Sequence, residues 1–161
     1  MECTVTWEGG KQFRAATPDG RGFGMDGDSK TAPSPMETLL SALGGCTGID
    51  VALILERMRT PPEKLVVHLD GERAGVDAKP YKSVQMHFAL QGAALRPDQV
   101  ERAISLSLEK YCSVFLSLAP ALQVEARYTL NGVPAQRPAF QRSGRSRPRR
   151  SRIPGRPRGA A

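Results

Sequence analysis

The sequence predicts an α+β fold in which strands come in blocks around two helices instead of alternating strictly with them. Three observations carry this. Alternating apolar segments stand at the N-terminus and in the middle of the chain, a long apolar helical segment runs from Pro35 to about Met58, and a second helical stripe after Pro97 leads into a last alternating strand. No internal repeat of useful period is visible.

Residues 2 to 7 place Cys3, Val5 and Trp7 on one face of a strand. E-G-G then turns the chain, and Gln12 to Ala16 reads as the returning strand of a hairpin. The Gly- and Asp-rich stretch 17 to 32 is a loop, interrupted by a short strand around Gly22 to Met25. P-S-P-M-E opens the first helix: Ser34 suits the N-cap, Pro35 the first helical position and Glu37 the capping box. Apolar residues such as Leu39, Leu43, Ile49, Val51 and Leu53 fall almost all round this helix, which predicts a central, largely buried element.

Leu65 to Glu72 and Ser83 to Leu90 alternate as two strands, with His68 and His87 on the face opposite the apolar rows. Both histidines are therefore expected as strand-surface residues. R-P-D-Q starts the second helix, and Val100, Ile104, Leu108 and Cys112 follow at i, i+4 spacing. A break or short helix extends to about Leu118. Val124 to Leu130 closes as a strand, and N-G is expected to end the domain.

The net charge of +7 over 161 residues belongs to one end of the chain. Residues 133 to 161 contain nine arginines and no acidic residue, whereas residues 1 to 132 hold 14 Lys plus Arg against 16 Asp plus Glu, a net of −2. The expected organisation is a folded domain over 1–132 and a disordered basic tail over 133–161. The simplest reading of that tail is a solvated appendage; nucleic acid would meet it only through non-specific phosphate contacts. The N-terminus lacks the layout of a secretory signal, and no uninterrupted apolar stretch approaches 18 residues, so a cytoplasmic protein without a membrane role is the default.

Three cysteines without a C-x-x-C pair argue against a disulfide framework and a structural zinc site. There is no G-x-S-x-G, no phosphate-binding glycine loop and no metal-ligand spacing. Attention falls on Cys46, flanked by Gly44, Gly45 and Gly48 inside a helix that each glycine weakens by roughly 1 kcal/mol. Two readings stay open: a packed core cysteine, or a reactive thiol. Asp50, four residues on, shares its helix face, and a carboxylate there opposes a negative sulfur unless a cation offsets it. Cys112 lies on the apolar stripe of the second helix, and Cys3 reads most simply as a strand residue.

S-P-M-E-T-L-L-S-A-L-G-G-C-T-G-I-D-V, followed about 65 residues later by E-K-Y-C-S-V-F-L, resembles the OsmC/Ohr family, and within it the YhfA-like branch. The resemblance covers about residues 1 to 132, including the M-D-G before the first helix. It implies an intertwined α+β homodimer, with long central helices wrapped by curved antiparallel sheets. It also implies thiol-dependent reduction of organic hydroperoxides. Cys46 would become a sulfenic acid, Cys112 would resolve it to a disulfide, and an external dithiol would reset the pair, with no metal or haem cofactor.

The sequence departs from that pattern twice. The family's glutamate ten residues before the cysteine is here Met36, with Glu37 one place later on the opposite side of the helix, where capping explains it better than catalysis. The family's catalytic arginine has only Arg21 and Arg14 as candidates. These departures keep a second reading open: a non-catalytic or redox-sensing member that holds a small apolar or thiol-containing ligand.

Overall fold

A computed structural model describes residues 1–75 and 78–144. In chain order it contains β1 (Thr4–Gly9), β2 (Gln12–Ala16), β3 (Gly22–Asp26), α1 (Pro35–Arg57), β4 (Lys64–Arg73) and β5 (Tyr81–Gln91). There follow α2 (Pro97–Leu106), α3 (Ser113–Ser117), β6 (Gln123–Leu130), β7 (Val133–Pro134) and β8 (Phe140–Arg142). Strands and helices come in separate blocks along the chain, so the architecture is α+β.

The N-terminal sheet is an antiparallel meander in the order β1-β2-β3. The larger sheet runs β4-β5-β6-β7, with β8 also on β6. β4 and β5 pair antiparallel, but β5 and β6 pair in parallel, so the chain must cross over between them. That crossover is α2 and α3, and it delivers Cys112 to the face of the sheet already covered by α1.

Alternation makes the core. On β5, Val84, Met86, Phe88 and Leu90 point inward and are buried. They meet Leu43, Val51 and Leu55 of α1, Val100 and Ile104 of α2, and Val124 and Ala126 of β6. Each buried side chain of this size contributes about 1.5–3 kcal/mol relative to exposure. His68 and His87 sit opposite each other on the outer face, their rings 6.2 Å apart, and His87 Nε2 meets Thr129 Oγ1 at 2.8 Å.

The α1 boundaries follow the capping signals. Ser34 is the N-cap, Pro35 follows it, and the reciprocal capping box with Glu37 is complete. By length and composition this 23-residue helix would also suffice to cross a membrane. Its packing against β4, α2 and α3 gives it the position of a core helix instead. Of its three central glycines, two face the chain's own β4: a Cβ on Gly44 would lie 2.6 Å from Leu69 Cδ1, and one on Gly48 3.4 Å from Val67 Cγ2.

The structure corrects three expectations. α1 is not buried all round within the chain, because Ile49 is 63% exposed and Leu53 is exposed too. The second helix does not run unbroken to Cys112: it ends at Leu106 and gives way to a π turn over Ser107–Tyr111. N-G does not end the domain. Asn131 and Gly132 take φ of 50° and 83°, the left-handed pair that suits a tight hairpin, and return the chain into β7. Val133–Pro134 and Phe140–Arg142, expected within the disordered tail, therefore belong to the larger sheet, with β8 paired to Val124–Ala126. The end of that expected tail, 145–161, lies outside the described residues.

Candidate thiol site

Cys46 is half-buried in the middle of α1, and Cys112 is fully buried where the π turn meets α3. The two sulfurs and a carboxylate oxygen of Asp50 all lie within 4.8 Å of one another. Asp50 reaches the site because four residues of helix advance about 40° beyond a full turn. Cys112 reaches it through the π turn, whose wider winding is closed by Cys112 N–H donating to Ser107 O at 2.8 Å.

The π turn also turns Ser107 toward α1, where its hydroxyl donates to Asp50 Oδ2 at 2.9 Å. Ser107 is fully buried, and this bond satisfies it. Cys112 itself is extended and caps α3, its sulfur accepting from Phe115 N–H at 3.4 Å. Burial pushes the Cys112 thiol up to about 12, and the neighbouring Cys46 and Asp50 push the same way against the Phe115 N–H. The resting Cys112 is a neutral thiol.

Residues after 131 back this segment. The Phe140 ring meets Phe115 edge-on at 5.6 Å, and the Arg142 guanidinium lies 4.0 Å over the Phe115 ring. Arg142 also donates to Leu122 O and Ala119 O. The C-terminal strand thus holds the residue whose N–H contacts the Cys112 sulfur.

The fold brings Cys46 and Cys112 together and places the other candidates elsewhere. Glu37 Oε2 accepts from Ser34 N, Ser34 Oγ and Ser29 Oγ, each at 2.7 Å, which holds its carboxyl down to about 2. It lies nine residues from Cys46, about 13 Å along the helix and half a turn round. Arg21 is 83% exposed at its side chain and pairs with Asp19 at 2.7 Å, while Arg14 pairs with Glu8 at 2.6 Å. Both ion pairs stay within the N-terminal meander and its turns.

Met36 lines an apolar cavity of about 260 Å³, together with Leu39 and Leu43 on the Cys46 side of α1, Tyr81, and Leu118 beyond α3. The Tyr81 hydroxyl donates to Met36 O at 3.0 Å and closes one wall. The partnership of Asp50 with Ser107 escapes sequence reasoning, although one signal was present. Ser107 is the polar member of the stripe Val100, Ala103, Ile104, Ser107, Leu108.

A segregated α+β chain whose central helix and a following π turn bring two free cysteines together defines a two-thiol protein of one fold type. The chain belongs to the OsmC-like protein family, whose model matches residues 26–127. It is 39% identical over 129 residues to protein YhfA of Escherichia coli K12, covering 80% of this chain and 96% of that protein. An OsmC-like protein from Mycoplasma pneumoniae shares the fold at 15% identity with a TM-score of 0.70, covering 80% of this chain and 95% of that one. So does the organic hydroperoxide resistance protein OhrB of Bacillus subtilis, at 12% identity with a TM-score of 0.58 and coverage of 80% and 98%.

Proposed function

We propose that the protein is a thiol-dependent organic hydroperoxide reductase with Cys46 as the peroxidatic residue and Cys112 as the resolving one. The observation that carries the proposal is the placement of both sulfurs and the Asp50 carboxylate within 4.8 Å. The Cys46 thiolate attacks the outer peroxide oxygen, the O–O bond breaks, the sulfur keeps that oxygen as a sulfenic acid, and the leaving alkoxide takes a proton from solvent to depart as the alcohol. Cys112 then attacks the resulting sulfenic sulfur, water leaves, and a disulfide forms. The neutral Cys112 must lose its proton as it attacks, and Asp50, oriented by Ser107, is the acceptor in reach. An external dithiol, oxidised to its own disulfide, returns both thiols.

Several features support a homodimer. Trp7 is 64% exposed, and Val5 and Phe23 of the meander and Ile49 and Leu53 of α1 are exposed beside it in chemistry if not in sequence. Apolar surface on both the meander and the central helix is what an intertwined partner would cover. Three free thiols suit a reducing, cytoplasmic setting.

A second reading is favoured by Met36 and Arg21. With Met36 in an apolar cavity and Arg21 paired to Asp19, a non-catalytic or redox-sensing protein that takes a small apolar ligand becomes the rival. The test is turnover of cumene hydroperoxide with a dithiol by the purified protein. The enzyme reading expects turnover that Cys46→Ser abolishes; no turnover leaves the binding reading, and turnover that survives Cys46→Ser removes Cys46 as the peroxidatic residue.

A further inference from the structure

We propose that reduced Cys46, Cys112 and Asp50 form a binding site for a thiophilic divalent cation of the zinc type. Sequence spacing shows no metal-ligand cluster, and the fold creates one by bringing two elements together. Two sulfurs and one carboxylate oxygen lie within 4.8 Å of one another. Around a tetrahedral ion with metal–sulfur bonds of about 2.3 Å, the ligands stand roughly 3.7 Å apart. The trio therefore needs to close by at most about an ångström, a side-chain adjustment.

The donor set selects the ion. Two sulfurs argue against magnesium and calcium, which take oxygen ligands, while the carboxylate and the short reach suit a tetrahedral, closed-shell cation. Two thiolates and a carboxylate leave the bound ion with one net negative charge, and any thiol proton displaced by the ion passes to solvent. Ser107 supplies the support that a ligating carboxylate needs, its hydroxyl holding Asp50 Oδ2 and leaving the other oxygen free to bind. Cys46 is half-buried while Cys112 is sealed, so the ion enters from the Cys46 side and keeps a position there for water or an external ligand.

Metal and oxidant then exclude each other. A hydroperoxide that takes two electrons from the thiolate pair and two protons from solvent yields alcohol, water, a disulfide and the free cation. The site rests on the proximity of the two sulfurs and does not require peroxidase turnover.

The test uses the full chain, reduced and metal-free, titrated anaerobically with Co²⁺ and then with Zn²⁺. The expected result is one equivalent of Co²⁺ per chain with thiolate-to-metal charge transfer and tetrahedral visible bands, displaced by Zn²⁺. Cys46→Ser and Cys112→Ser lose the charge transfer, Asp50→Asn weakens binding at least tenfold, and Cys3→Ser changes nothing. Wild type oxidised with diamide, which needs no substitution and no peroxide, binds no Co²⁺. Absence of charge transfer at stoichiometric Co²⁺, or its survival in both cysteine variants, overturns the site. Loss of the metal site with peroxide turnover intact leaves the proposed function standing, and the opposite pair of results separates the two the other way.

Discussion

The Ser107 hydroxyl and the Asp50 carboxylate are joined across 2.9 Å, a bond that ties the π turn to α1 beside both sulfurs. Ser107→Ala leaves Asp50 without that donor in a half-buried position, at a cost of about 1 kcal/mol. Urea unfolding should show the loss as a lower midpoint at unchanged slope. Asp50→Asn removes one of the charges that hold the Cys112 thiol protonated, so alkylation of Cys112 should begin at lower pH than in the wild type.

Cys112 also makes stability depend on alkaline pH. Its thiol rises from about 9.0 to about 12 on folding, so the folded chain holds that proton more tightly than the unfolded one. The resulting stability is complete below pH 9 and falls as pH rises from 9 towards 12. Cys112→Ala should flatten that part of the stability profile. At pH 8, mass mapping after brief iodoacetamide treatment should find label on exposed Cys3 and none on Cys112.

Acid acts on a different pair of groups. Glu37 is held to about 2 chiefly by the Ser34 hydroxyl, and Asp26 to about 2 chiefly by the Asp28 N–H, with Thr31 and Lys30 adding to it. Both carboxylates bind protons less readily when folded, so their contribution is present above pH 4.5 and is lost as pH falls through 2. Glu37→Gln and Asp26→Asn should each reduce the slope of stability against pH in that window. Ser34→Ala removes the cap itself and should cost about 1 kcal/mol at neutral pH.

The exposed apolar surface gives a test of assembly. Wild type is expected to sediment as a dimer, and Trp7→Glu or Ile49→Glu should shift it to the monomer with far-UV circular dichroism unchanged. A monomeric wild type would remove the dimer from the proposed function.

Arg142 lies over the Phe115 ring, an interaction of about 1 kcal/mol where the cation is partly desolvated. Arg142→Ala should loosen the segment from Cys112 to Leu122 and raise the rate of Cys112 alkylation severalfold, with Arg142→Lys restoring part of the protection. Unchanged Cys112 reactivity in a chain ending at residue 132 would show that the C-terminal strand leaves the thiol untouched.

The parts of the fold that could be read in advance are those whose cause is local. Ser34, Pro35 and Glu37 define the start of α1 within four residues, and the alternation of Val84, Met86, Phe88 and Leu90 defines β5 and its buried face. The π turn was hidden because Val100, Ile104, Leu108 and Cys112 continue a helical stripe through it; one wider hydrogen-bonded ring changes no residue type. Asn131-Gly132 punctuates the chain, but a turn and a terminus share that signal, so the expected domain end is a hairpin instead. Arginines outweigh Ala139 and Phe140 in composition, and so obscured β8. Asp50 and Ser107 stand 57 residues apart, and only the crossover brings them together. The motif resemblance located both cysteines; their joint environment required the fold.

The order of synthesis gives β8 a further meaning. Cys46 and Cys112 both leave the ribosome before Phe140 and Arg142, which complete the support behind Phe115. During translation the segment after Cys112 therefore lacks its backing until β8 emerges. A chain stalled or clipped before Phe140 would carry both thiols without the Phe140 and Arg142 contacts behind Phe115.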